Sequence, residues 1–158
     1  MEDLVIGIDP ALRNVGIAVV KVESKQPVFI ERMKFRKGTT EQERYRKVAK
    51  KLDKIVSWYY VQLKAVIIES ILFAKNSAKL AERMQLIGML KWVFYNHGIP
   101  VYTLMPNQVK LVVAGKGNAT KDELREVLKH RFGLEFKKTE SDMADAFAVA
   151  VAGIEKFL

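Results

Sequence analysis

Four of the chain's 18 acidic residues stand apart from its lysines and arginines. Asp9 ends the apolar run Val5-Ile6-Gly7-Ile8, and Glu69 ends Ala65-Val66-Ile67-Ile68. Asp142 and Asp145 lie in SDMADAFAVA, among small and apolar residues. An ionised carboxylate beside a core is costly unless it is paired, hydrogen-bonded or bound to a metal. Asp142 and Asp145 are spaced i, i+3 and so share a helix face. Both fall near the helix start, where the backbone dipole favours negative charge. Plainer readings exist for three of the four. Asp9 before Pro10 is an ordinary turn residue, Asp142 an ordinary helix-start acid, and Glu69 a partner for a surface lysine. Asp145, flanked by Ala144 and Ala146-Phe147-Ala148, fits no such reading well. Gathered at one strand-end region, the four suit hard divalent cations. Two Mg²⁺ ions about 3.5–4 Å apart can activate a water and stabilise the leaving oxygen of a phosphodiester.

Other chemistries are excluded by composition. There is no cysteine, which removes disulfides, thiolate metal sites and a Cys nucleophile. Only His97 and His130 are present, too few for a multi-histidine zinc cage. The strongest apolar stretch, near residues 86 to 95, contains Lys91 and is too short to span a bilayer. Met1-Glu2-Asp3 does not read as a signal peptide. A soluble, cytoplasmic chain with no membrane partner is expected. The net charge of +9 points to an anionic partner, with nucleic acid first.

The elements that must position the acids follow from periodicity. Residues 5 to 8, 15 to 22 and 28 to 35 read as strands, the first two joined by a hairpin near Asn14. Tyr45, Val48, Leu52, Ile55, Val56 and Tyr59 recur at helical spacing, predicting an amphipathic helix over 41 to 60. Residues 65 to 69 form a strand buried on both faces, 77 to 96 a helix ended by Gly98, and 99 to 104 a further strand. Pro106 opens a short helix to Val113. Thr120 and Glu123 form a capping box for a helix to about Phe132. Ser141 caps a last helix from Asp142. Residues 1 to 158 thus form a single α/β domain. Its mixed sheet has three antiparallel strands, then helix-linked parallel ones, with helices on both faces.

Residues 32 to 64 hold eleven basic residues and three acids. That imbalance favours phosphate contact over a merely solvated helix face. A second basic region contains Lys110, Lys116, Lys121, Arg125, Lys129 and Arg131. Lys116 sits in a glycine-flanked loop that can approach an anion closely. Lys121 lies at a helix start, where a cation is disfavoured by the dipole, and this points to a functional role. Helix 77–96 carries two apolar lines, one through Leu80, Met84, Ile87, Leu90 and Phe94, the other through Ala81, Gly88, Trp92 and Tyr95. Two lines mean burial on two sides, and an interface helix is expected rather than a fully buried core helix.

The motifs resemble one family. IGIDPALRNVGIAVV, AVIIESILFAKN, VYTLMPNQVKLVVAGKGNATKDELREVLKHRFGL and SDMADAFAVAVA are similar to segments of RuvC-type Holliday-junction resolvases, in family order and spacing. The resemblance implies an RNase H-like fold, a homodimer and metal-dependent, paired symmetric nicking of four-way DNA junctions in recombination and repair. It implies that Asp9, Glu69, Asp142 and Asp145 are the catalytic, metal-holding acids. Two Mg²⁺ per site are expected, with Mn²⁺ able to substitute. The family's functional lysines fall on Lys110 and on Lys121, the latter assigned to catalysis as well as DNA binding. Arg13, Lys75, Asn76 and Lys116 are further expected DNA contacts. The family places an aromatic three residues after the strand-end Glu. Here Leu72 stands at that position with Phe73 beside it, so either is the expected base-stacking residue. Helix 77–96 is the expected dimer contact, and a branch-migration motor is a candidate partner. Three alternatives stand beside this reading. They are a related nuclease on other structured nucleic acid, a non-cleaving junction-binding protein, and an actin-like ATP-binding lobe with a similar first hairpin.

Overall fold

The computed structural model describes residues 1–71 and 75–158. Five strands form one sheet in the order β3-β2-β1-β4-β5. They are β1 (Leu4–Pro10), β2 (Asn14–Lys21), β3 (Pro27–Lys34), β4 (Leu63–Glu69) and β5 (Val101–Leu104). β1, β2 and β3 pair antiparallel, whereas β4 runs parallel to both β1 and β5. The helices are α1 (Glu41–Tyr59), α2 (Ser77–Asn96), α3 (Pro106–Ala114), α4 (Lys121–Phe132) and α5 (Ser141–Phe157). None of the described helices is long and apolar enough to cross a membrane.

Side-chain size divides the sheet faces. Along a strand, successive side chains point to opposite faces. Leu4, Ile6 and Ile8 of β1 and Val15, Ile17 and Val19 of β2 face one way. They pack with Val48, Leu52 and Ile55 of α1 and Leu86, Ile87, Leu90 and Phe94 of α2. Several of the alternate positions are small, though Val5, Val20 and Ile67 also face this way. Gly7, Gly16 and Ala18 meet α5, itself rich in alanine (Ala144, Ala146, Ala148, Ala150, Ala152). Large residues thus hold α1 and α2 at ordinary distance, while small ones let α5 lie almost on the backbone. A Cβ on Gly7 would collide with the Ala146 carbonyl and lie 2.6 Å from the Ala150 nitrogen. A Cβ on Gly16 would collide with the Asp142 carbonyl.

The expected elements are all present, with shifted ends. β5 begins at Val101 rather than Ile99, because Ile99 N–H closes α2 by donating to Phe94 O at 3.1 Å. Thr120 caps α4 as expected, its Oγ accepting from Glu123 N–H at 3.1 Å. The Glu123 carboxylate, however, pairs with Lys116 Nζ at 2.5 Å. Ser141 is the first residue of α5 rather than its cap, and a 3₁₀ turn, Lys138–Glu140, precedes it.

Candidate active site

Asp9 and Glu69 come together through register. β1 and β4 are parallel neighbours, and Ile8 pairs with Ile68, one residue before each acid. Ile8 and Ile68 both face α1 and α2, so by alternation Asp9 and Glu69 both face the α5 side. The packing of α5 on Gly7 and Gly16 brings Asp142 and Asp145 to the same end of the sheet.

Asp9, Glu69 and Asp145 line a cavity of about 270 Å³ together with Arg83, Lys110 and Lys121. The charges perturb one another. Burial pushes the Asp9 carboxyl well above the usual carboxylate range, and the nearby Glu69 and Asp145 add to it. Glu69 is pushed up to about 7, first by burial and then by Asp145, against the opposing charge of Arg83, Lys110 and Lys121. Asp145 is raised by burial and held back by Lys121 and Lys110. These are acids crowded at low dielectric, where burial outweighs the opposing charge of Arg83, Lys110 and Lys121.

Asp142 is placed differently. It is buried but does not line that cavity. Its Oδ1 accepts from Arg32 Nη1 at 3.2 Å, and Arg32 also donates to the Thr139 carbonyl. Asp142 Oδ2 is buried and has no hydrogen-bond partner. Among the described residues, no group of three acids is drawn together as a ready cation cage. The set nevertheless fits hard divalent cations. Every candidate donor is a carboxylate oxygen, one of those oxygens is orphaned, and three of the acids are disfavoured as anions by burial.

The expected DNA contacts divide. Lys110 and Lys121 reach the cavity. Lys116 does not, being paired with Glu123. Arg13 lines a second, adjoining cavity of about 750 Å³, where Arg36, Lys37, Arg44, Lys79 and Arg83 also stand. Ala11 and Arg83 line both cavities, so the two adjoin. Asn76 Oδ1 caps α2, accepting from Ala78 N–H at 3.0 Å, and Lys75 is exposed beside it. Leu72 and Phe73 lie outside the described residues. Two arginines were not assigned to the acids from sequence. Arg83 stands at the meeting of the two cavities, its Nε buried without a partner. Arg32, counted among the phosphate-facing residues, instead turns inward to Asp142. Within the basic stretch, Lys47 and Lys51 also have partners, Glu43 at 3.1 Å and Glu31 at 2.8 Å.

The Glu69 shift has a thermodynamic consequence. The unfolded carboxyl releases its proton near 4.5, while the folded one keeps it to about 7. Rising pH therefore favours the unfolded chain across that window, by up to about 3 kcal/mol above it. Metal-free protein is expected to melt roughly 5–10 °C lower at pH 8 than its Glu69→Gln variant, with the gap closing near pH 4.5. Thermal melting in chelator across that range checks it, and parallel profiles would contradict it.

Comparison with known proteins places the fold and the family. The family model described as "Crossover junction endodeoxyribonuclease RuvC" matches residues 5–153. Crossover junction endodeoxyribonuclease RuvC of Prochlorococcus marinus is 32% identical over 154 residues, covering 96% of this chain and 97% of its own. Among solved structures, T. thermophilus RuvC in complex with Holliday junction substrate matches with a TM-score of 0.84 at 27% identity, over 95% of this chain and 92% of that one. A second Thermus thermophilus RuvC structure gives 0.80 at 27% identity, over 94% and 92%. The mixed sheet with helices on both faces is thus the expected RNase H-like fold. With the family match running from the second residue of β1 into the closing helix, the chain belongs to the RuvC family of crossover junction endodeoxyribonucleases.

Proposed function

We propose that this protein is a divalent-metal-dependent endonuclease that resolves four-way DNA junctions by paired symmetric nicks. The observation that carries this is the cavity lined together by Asp9, Glu69, Asp145, Arg83, Lys110 and Lys121, which adjoins an arginine- and lysine-lined groove. Asp9, Glu69, Asp142 and Asp145 would hold two Mg²⁺, with Mn²⁺ as a substitute. When bound, such ions supply Lewis acidity toward the phosphodiester and acidify the attacking water. The chain's own groups do the rest. Lys110 and Lys121 line the same cavity as the acids, where they offset the charge that grows on the phosphoryl oxygens. Arg83 holds the strand where groove meets cavity, and Arg13, Arg36, Lys37, Arg44 and Lys79 receive its phosphates. Lys75 and Asn76 follow in sequence the segment that carries Leu72 and Phe73, one of which stacks on an unpaired base. Lys116 contributes once DNA draws it from Glu123. Nicking of a four-way junction, a fork and a plain duplex, with and without Mg²⁺, tests the reading. Mg²⁺-dependent cleavage confined to the junction supports it. Cleavage of fork or duplex at equal rate, or binding without cleavage, overturns it.

Two expected results accompany this reading. Junction affinity falls steeply with salt, because phosphates are neutralised and counterions released. Replacing Arg36, Lys37 and Lys79 together with alanine should flatten the slope of log affinity against log salt by about 0.9 per lost phosphate contact. A fluorescence titration at several salt concentrations reads this, and an unchanged slope would show the groove to be merely solvated.

Paired nicks require two sites related by a two-fold axis. The outward line on α2, Ala81, Gly88, Trp92 and Tyr95, is exposed, with Trp92 at 65% and Tyr95 at 56%. We assign the homodimer contact to it. Sedimentation at micromolar concentration should show a dimer for the natural chain and a monomer for Trp92→Glu. A natural monomer that still nicks in pairs would contradict the assignment. A branch-migration motor remains a candidate partner that acts on the same junctions.

A further inference from the structure

We propose that Arg32 is the resident counter-cation of Asp142, and that Asp142 must exchange this guanidinium for a divalent cation, so that Arg32 sets how tightly the site takes its metal. The inference rests on the metal-site reading above. Its basis is a row of residues across three strands. Asp9 pairs with Gly16, and Gly16 pairs with Arg32, so the three share one face of the sheet. The missing side chain of Gly16 is where the Asp142 backbone sits. Asp142 thus lies in the middle of the row, with the acid cavity on one side and Arg32 on the other.

Arg32 reaches Asp142 Oδ1 at 3.2 Å and also bonds the Thr139 carbonyl just before α5. Both side chains are largely covered, 21% and 11% exposed, so the pair is weakly screened by solvent and salt. The second oxygen, Oδ2, is buried and unpartnered. A buried carboxylate with one oxygen satisfied and one orphaned is held, but not saturated. Removing the guanidinium would leave it uncompensated, which is strongly unfavourable. That same lack of compensation would raise its attraction for a cation. Because linkage is reciprocal, whatever factor Arg32 takes from cation affinity, bound cation takes from the Arg32–Asp142 pair.

The test uses the whole metal-stripped protein and Mg²⁺ as the probe. Isothermal titration should show Arg32→Gln binding Mg²⁺ about tenfold more tightly than the natural chain, with Arg32→Lys between them. Arg32→Gln should also melt lower in chelator and gain more from Mg²⁺. In an Asp142→Asn background the Arg32→Gln change should leave Mg²⁺ affinity unaltered. A structural role alone would lower melting and leave the Mg²⁺ constant where it was. In case Arg32→Gln does not fold, the natural ¹⁵N-labelled protein gives an independent reading. The Arg32 Nε resonance should move as Mg²⁺ saturates the site. Equal or weaker Mg²⁺ binding by Arg32→Gln overturns the inference, as does an Arg32 signal indifferent to Mg²⁺. If the natural chain binds no Mg²⁺, or Asp9→Asn binds it equally well, it is the metal-site reading that fails.

Discussion

Asp9→Asn and Asp145→Asn are each expected to slow junction nicking by at least about 10²–10³-fold while leaving junction binding unchanged or tighter. The amide keeps the size of the side chain but takes away the ligand charge. It also removes one negative charge from a cavity that must admit a phosphodiester, so the ground-state complex is repelled less. Position 9 carries a further signature. The Asp9 carboxyl lies buried beside Glu69 and Asp145 and is raised well above the usual range. Replacing it relieves that crowding, so metal-free Asp9→Asn should melt above the natural protein at pH 8 and gain less from added Mg²⁺. Such a site is destabilising for the empty fold and useful only when filled, a common relation between function and stability. Nicking rate, junction affinity and melting temperature measured on one preparation decide the matter. Equal loss of binding and cutting would mean that the acids hold the fold or the DNA rather than the chemistry.

The acids were legible because their neighbours are not charged. Asp9 and Glu69 each follow four residues that belong in a core, and Asp145 interrupts an alanine-rich helix. The strand directions were legible for a related reason, since short strands before the first helix pair as hairpins and those after it need crossovers. The arginines were not. Arg32 and Arg83 sit among many basic residues, and counting charge treats all of them as surface. What separates Arg32 from Lys34 is that its strand position pairs with Gly16, and pairing between residues 16 and 32 is a property of the sheet. Its partner lies 110 residues away. Lys116 shows a partner that spacing alone did not suggest: its glycine-flanked loop reads as an anion cradle, and in the DNA-free chain its ammonium pairs with Glu123 on the helix that the loop introduces.

Gly16→Ala should cost roughly 5–10 °C in melting temperature and also cut nicking well below the rate of an equally destabilised control. At Gly7 and Gly16 the backbone of α5 lies directly on the sheet. At Gly16 the added methyl meets the carbonyl of Asp142 itself, with the Ala146 methyl 3.2 Å away. A flexible side chain could turn aside, but a helix backbone cannot, so α5 must lift or slide. Two of the four acids ride on that helix, and the other two are fixed to the sheet at Asp9 and Glu69. A small displacement therefore changes the distances within the set without removing any member of it. Leu52→Ala is the fitting control. Leu52 is a fully buried residue of α1, packed on the opposite face of the sheet, and its truncation should cost about 2–5 kcal/mol without moving α5. Assayed well below both melting points, Leu52→Ala should nick at near the natural rate and Gly16→Ala should not. Equal activity in the two variants would mean that α5 absorbs the methyl without shifting its acids. The close approach at Gly16 would then serve packing alone.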